Sequence, residues 1–357
     1  MSAAKVELGR HLFHDTRLSG NGTYACASCH RQELAFTDGR ARALGATDQL
    51  HPRSAMSLAN VAYNASLTWA DPRLDSLESQ ARVPMVNEHP VELGLRGREE
   101  EVLGRLGDDD RYATLFAEAF PGDERPVRMV NVVKALASFE RTLISGDSPY
   151  NRLVYGGEMD ALSESARRGM RLFFSDRLRC SECHSGFNFS GPVNFEGSGT
   201  VEPTFHNTGL YNIDGAGAYP AGSPGLVEVT GRLEDTGSFR APTLHNVAVT
   251  APYMHDGSVA TLEEVVTIYS EGGRIVITGP HAGDGRDNPH KSFRLPGFEI
   301  TEGETDDVVA FLRSLTDESF LTDPRYASPF PTEATRARAT GGSTTPGGPS
   351  ASGRTTP

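Results

Sequence analysis

A chain of 357 residues is long for one domain and comfortable for two, and its 37% hydrophobic and 23% charged content is ordinary for a soluble globular protein. A formal charge of -13 argues against nucleic acid as a partner, which would need a basic face, and reads as a solubility device. No run approaches the roughly 20 apolar residues that cross a bilayer, so no membrane span is expected.

The first predicted element is a short helix at Gly9-Arg-His-Leu12-Phe13-His-Asp15-Thr-Arg17-Leu18, which runs into a loop reaching Cys26. Met129, Val132, Val133, Leu136, Phe139 and Leu143 then recur at helical spacing and predict an amphipathic helix. The pattern begins again at Gly169-Met-Arg-Leu172-Phe173-Phe-Ser-Asp176-Arg177-Leu178-Arg-Cys180, an internal repeat. Residues 186–260 are rich in Gly, Asn, Pro and Thr and predict long loops with a short hairpin; loops of this length are often functional. Thr261 and Glu264 have capping-box spacing ahead of a helix that Gly272-Gly273 ends, with Leu262, Val265, Val266 and Tyr269 on one face. Thr301 and Glu304 repeat that spacing before Val308, Phe311, Leu312 and Leu315. Two copies of helix, loop and closing helix predict two domains, 1–150 and 151–333, joined near 145–165. The stretch 334–357 has almost no apolar residues and is expected to be disordered.

All four cysteines fall in two motifs, Cys26-Ala-Ser-Cys29-His30 and Cys180-Ser-Glu-Cys183-His184. Two thiols three positions apart on a helical turn can form thioethers to both vinyl groups of one haem, and the adjacent His supplies the proximal iron ligand. Zinc held by two Cys-x-x-Cys pairs would not require a His after each, and disulfides would require none. The expected fold is therefore mainly α, with two cytochrome c-like domains, each around one covalently bound haem c, and long loops. Haem is joined to such motifs outside the cytoplasm, whereas MSAAKVELGR lacks the apolar core of a secretory signal. A mature, exported (periplasmic) form is expected. An electron carrier fills both axial positions of each iron, whereas an enzyme leaves one open. On periodicity alone Tyr269 reads as a core tyrosine, and Met254 is the default thioether ligand of the second haem.

These residues resemble the bacterial di-haem cytochrome c peroxidase and MauG superfamily over about residues 5–330. The resemblance is carried by the paired haem motifs, then Arg53-Ser-Ala-Met-Ser-Leu58-Ala-Asn60, Asn64-Ala-Ser-Leu-Thr-Trp69 and Gln80-x-x-x-Pro84. Pro90-Val-Glu92-Leu-Gly94, Ser138-Phe-Glu-Arg-Thr142 and Thr250-Ala-Pro252-Tyr-Met-His-Asp-Gly257 follow in the family's order. Between Trp69 and Gln80 the chain reads Ala-Asp-Pro-Arg where relatives have Asp-Gly-Arg.

The resemblance implies that the first haem reacts with hydrogen peroxide, with His30 proximal and Gln80, Pro84 and Glu92 on its open side. Glu92 would move the proton in peroxide cleavage. Trp69, the single tryptophan, would relay electrons between the haems. Tyr269 stands where peroxidases place a methionine and MauG a tyrosine, so it would bind the second iron opposite His184. A tyrosinate is hard and anionic and stabilises high-valent iron. A calcium ion between the haems would use the carbonyls of Thr250 and Pro252, with its side-chain ligand expected at Ser54 and Asn60 the nearest asparagine. The distal His of some peroxidases would fall near Ala46, and His51, followed by Pro52, reads as structural. The ending from Ser314 to Tyr326 is similar to MauG/MbnH-like enzymes, which form a bis-ferryl state and oxidise a partner-protein tryptophan to kynurenine. The other activity implied is peroxide reduction with electrons from a small redox protein.

Overall fold

The computed structural model describes residues 1–199 and 201–331; the tail expected to be disordered lies outside the described residues. Twelve α-helices and four very short strands are present among them. The first half contains α1 (Ala3–His14), α2 (Cys26–Cys29), α3 (Leu77–Val86), α4 (Glu99–Gly107), α5 (Asp110–Ala119) and α6 (Met129–Glu140). The second contains α7 (Pro149–Val154), α8 (Glu164–Phe173), α9 (Val227–Thr230), α10 (Leu262–Ser270), α11 (Glu302–Arg313) and α12 (Glu318–Thr322). Both predicted capping boxes form, Thr261 with Glu264 on α10 and Thr301 with Glu304 on α11. The expected hairpin is instead a pairing of β1 (Phe205–Asn207) with β2 (Ser238–Arg240), and residues 208–237 loop out between them. A second antiparallel pair joins β3 (Ile275–Val276) to β4 (Gly283–Asp284).

The repeat read in the sequence has a steric cause. α1 crosses α6 at Gly9, where a Cβ would lie 2.0 Å from the Ala135 carbonyl oxygen. α8 crosses α11 at Gly169, where a Cβ would lie 1.8 Å from the Asp307 carbonyl oxygen. At both crossings the helix backbones touch, so only glycine fits. Around the first crossing Leu8, Leu12, Phe13, Leu136 and Phe139 are buried; around the second Phe173, Val308, Phe311 and Leu312 are. A third cluster joins Ala70 to Leu210, Tyr211, Tyr219, Phe239 and Ile268, with Trp69 packed on it.

The end of the chain departs from the expected domain limit at 333. Phe320, Leu321 and Tyr326 pack into the first core. Gln32 Nε2 donates to the carbonyls of Phe320 (3.1 Å) and Asp323 (2.9 Å), and the Tyr326 hydroxyl donates to Thr142 O at 2.7 Å. The chain is tied back by these bonds after α11 closes the second half.

A buried polar knot joins the two halves. Asn60 Nδ2 donates to Ser145 O and its Oδ1 accepts from Ser145 N, both at 2.9 Å. Asn246 Nδ2 donates to Ser145 Oγ at 2.9 Å, and Asn246 Oδ1 accepts from Asp317 N at 2.8 Å. Asp317 Oδ2 accepts from the backbone N–H groups of Gly146 and Asp147, each at 2.9 Å. Asn60 and Asn246 both sit at positive φ, 56° and 60°, which asparagine tolerates.

Gly169→Ala should cost on the order of 3 kcal/mol, the upper range for an overpacked core, and lower the thermal midpoint of the holoprotein. Gly303→Ala, on the exposed first turn of α11 with open space at its Cβ, should not lower it. Equal midpoints in a melting experiment would contradict the tight crossing.

Candidate active site and cofactor stations

The first Cys-x-x-Cys-His segment is the single turn α2 followed by His30, whose N–H donates to Cys26 O at 2.9 Å. The His30 Nδ1 lies 2.7 Å from Phe36 O. A carbonyl only accepts, so Nδ1 carries the proton and Nε2 is left bare, the tautomer that ligates a metal. The second segment repeats the device: His184 N–H donates to Cys180 O at 3.0 Å, and Nδ1 donates to Phe189 O at 3.0 Å. Phe36 and Phe189 are fully buried and both adopt positive φ, 63° and 50°, which turns each carbonyl back toward its histidine. Burial keeps both imidazoles below their ordinary pKa, hence neutral. No disulfide joins any of the four cysteines. Burial raises all four thiols, Cys29 to about 11 and Cys180 to about 12.

Beside the first segment, α3 carries Gln80 and, in its interior, Pro84. Proline lacks an N–H, so the Gln80 carbonyl loses its helical donor. The loop after α3 folds back on the helix end, with Leu93 N donating to Pro84 O and Leu95 N to Met85 O, both at 2.8 Å. Ala46 N donates to Glu92 O at 2.7 Å, and Gly45 touches the same loop: a Cβ there would lie 1.8 Å from Val91 O. The Glu92 carboxyl has no hydrogen-bond partner among the described residues, and burial raises its pKa to about 7. Its charge, after burial and the nearer groups, also helps raise the Cys26 and Cys29 thiols, which puts it in the same chamber. Glu140 on α6 is buried there too; one carboxyl oxygen is unpartnered and burial raises its pKa to about 8.

The second segment opens onto a cavity of about 1290 Å³, counting its mouth. Cys180, Cys183, His184, Trp69, Met254 and Tyr269 line it. Burial, then the nearby Cys183 and Cys180, pushes the Tyr269 phenol well above its ordinary pKa, so a phenolate there needs a cation beside it. Trp69 Nε1 donates to Ser54 O at 3.0 Å, and the indole meets the His255 ring at 6.5 Å between centroids. The calcium candidates divide. Thr250 and Pro252 offer carbonyls that accept no hydrogen bond from the described residues, and Ser54 adjoins their loop, its N–H donating to His255 O at 2.8 Å. The Asn60 amide hydrogen-bonds both backbone groups of Ser145, which fastens the two halves together. His51 Nδ1 accepts from Arg53 N at 3.1 Å, which fixes a turn.

The cavity fits a haem by the polar groups it leaves unmatched. Arg240 is buried on its wall with no carboxylate partner among the described residues, and desolvation lowers its pKa to about 10. His255, on the same wall, is buried with Nε2 unpartnered. Arg240 needs an anion and the His255 Nε2 a hydrogen-bond partner, and a haem carries two carboxylate arms. Sequence reasoning missed Arg240, His255, Glu140 and the cavity-lining His206. His255 carried a signal, since it stands inside the Pro252–Gly257 motif; nothing in the sequence marks a buried arginine.

A mainly helical protein with two Cys-x-x-Cys-His turns, each histidine oriented by a backbone carbonyl, belongs to the cytochrome c-like class. The family model for di-haem cytochrome c peroxidase matches residues 3–159, and one for a RoxA-like, cytochrome c-like segment matches residues 238–270. The chain is 34% identical to the methylamine utilization protein MauG of Methylorubrum extorquens, over 89% of this chain and 80% of that protein. It is 30% identical to the cytochrome c551 peroxidase of Pseudomonas aeruginosa, over 88% and 80%. A crystal structure of a MauG-like protein associated with microbial copper homeostasis superposes with a TM-score of 0.90 at 46% identity, covering 92% of this chain and 94% of that one. The chain belongs to the di-haem cytochrome c peroxidase and MauG family, and is a haem-dependent oxidoreductase.

Replacing Cys180 and Cys183 together by serine should leave one covalently held haem per chain where two are expected of the parent. Intact-mass measurement after denaturation reads this directly, and an unchanged mass increment would refute the assignment.

Proposed function

We propose that this protein is a MauG/MbnH-like di-haem enzyme that uses hydrogen peroxide to oxidise a side chain of a partner protein, a tryptophan converted to kynurenine. The observation that carries the reading is Tyr269, a half-buried residue whose phenol lies on the cavity wall of the His184 station. A hard anionic ligand there favours holding oxidising equivalents; a thioether from Met254 would favour a high-potential electron acceptor. The 46% identity to a MauG-like protein associated with copper homeostasis supports the same branch and makes a copper-handling protein the class of partner we propose. An exported, periplasmic setting follows from covalent haem attachment.

Bound at His30 and His184, with Cys26, Cys29, Cys180 and Cys183 as anchors, two haems would supply the irons that react with peroxide and store two oxidising equivalents. The protein's own work is proton handling and positioning. Glu92, unpaired and with a pKa of about 7, moves a proton from one peroxide oxygen to the other, so that the far oxygen leaves as water. Gln80 and Pro84, on the same face of α3, shape and close the space beside it. Trp69 stands between the stations to carry electrons. We place calcium at the carbonyls of Thr250 and Pro252, where it would brace the loop beneath Trp69.

Glu92→Gln should slow the reaction with peroxide by about 10²–10⁴-fold in stopped-flow absorbance. Since Glu92 must be ionised to take the first proton, the wild-type rate should fall as pH drops through about 7; a flat profile would exclude this role. Tyr269→Phe should alter the low-spin EPR signal of the ferric protein, and a spectrum identical to wild type would remove Tyr269 as a ligand. Mass spectrometry of candidate copper-handling proteins after incubation with holoenzyme and peroxide should show oxidised tryptophan. Rapid steady turnover with a reduced cytochrome or cupredoxin, and no such product, would instead establish a peroxidase.

A further inference from the structure

A line of aromatic rings leaves Trp69 and ends at the surface. The indole centroid is 6.5 Å from that of His255, His255 is 6.3 Å from Tyr219, Tyr219 is 5.5 Å from Tyr211, and Tyr211 is 5.5 Å from His281. Tyr211 and Tyr219 are buried, whereas His281 is exposed. Electronic coupling decays exponentially with distance, so steps of this length between packed rings are short ones for an electron.

The hydroxyl partners along the line differ in kind. The Trp69 N–H donates to a backbone carbonyl, and the Tyr219 hydroxyl donates to Asn207 Oδ1 at 2.7 Å. Neither acceptor is a base. The Tyr211 hydroxyl donates to Asp256 Oδ2 at 2.6 Å, a short charge-assisted bond to a carboxylate. Burial opposes the Asp256 charge, but His255, the Tyr211 hydroxyl and Ser258 outweigh it and hold its pKa below the ordinary value. The Arg274 guanidinium lies 4.5 Å from the Tyr211 ring centroid, which disfavours a charged oxidised ring and favours loss of the proton with the electron.

We propose that Trp69, Tyr219 and Tyr211 form a one-electron relay that ends in oxidation of Tyr211 beneath the His281 surface. The relay rests on the peroxide-driven reading above, which supplies the oxidant. Tyr211 gives one electron, through Tyr219 and across His255 to Trp69, and this reduces one of the two oxidising equivalents that peroxide leaves in the enzyme. The phenol O–H bond breaks as its proton passes to Asp256 Oδ2, and a neutral tyrosyl radical remains. His255 bridges Trp69 and Tyr219 without being oxidised itself. An oxidisable side chain of the partner, docked at His281, returns one electron, and Asp256 returns the proton.

The test is rapid-freeze EPR of holoprotein mixed with hydrogen peroxide, with haem absorbance followed in the same mixtures. Wild type should give a radical signal that narrows when the protein carries ring-deuterated tyrosine. Tyr211→Phe should lose that signal, and Asp256→Asn should diminish it, while the peroxide-induced change in haem absorbance persists in both. A tyrosyl signal that survives undiminished in Tyr211→Phe would overturn the relay and leave the peroxide reading intact. Haems that do not respond to peroxide in the wild type would overturn that reading, and the relay with it.

Discussion

The working geometry depends on a buried set of hydrogen bonds in which Ser145 is the meeting point. Asn60 comes from the first half, Asn246 and Asp317 from the second, and each satisfies a partner that would otherwise be buried bare. Hydrogen bonds are directional and an unpaired buried polar group costs about 1–3 kcal/mol, so the knot admits one arrangement of the halves and penalises others. Trp69 is useful only if the cavity of the second half closes on it. That condition is met through this joint and through the third apolar cluster, where Ala70 packs with Leu210, Tyr219 and Phe239.

Within that frame the two halves use one plan for unequal purposes. Each has a glycine-tight helix crossing, and each histidine is turned by the carbonyl of a buried phenylalanine at positive φ. Their linings differ. The first chamber holds carboxyls without partners, Glu92 and Glu140, which burial keeps ready to hold or pass a proton near neutral pH. The second holds a phenol, an unmatched arginine and an unmatched histidine, groups suited to an anionic prosthetic group and to redox traffic. On the function proposed, proton chemistry and charge storage would fall to different ends of one molecule.

Periodicity found the helices that close each half, since α6, α10 and α11 carry apolar residues at helical spacing and two of them carry capping boxes. Local patterns of this kind depend on neighbours within four residues, which the sequence lists in order. The bonds from Asn60 to Ser145 were not legible in the sequence because Ser145 is remote along the chain and joined to Asn60 only by the fold. The return of the chain's end was hidden for a related reason: Phe320 and Tyr326 look like any apolar residues after a helix, and their destination is the first core.

What the sequence determined by itself is local: two Cys-x-x-Cys-His turns, the repeat that begins at Gly9 and again at Gly169, and the capped helices that follow. A thioether site is built from residues within one turn, so no tertiary information is needed to see it. Tertiary structure alone decided which side chains are stripped of water without a partner. Glu92 is a surface-type residue by identity, and only its desolvated loop gives it a pKa of about 7. Likewise Tyr211 is one tyrosine among ten until folding sets Asp256 at its hydroxyl and Tyr219 beside its ring.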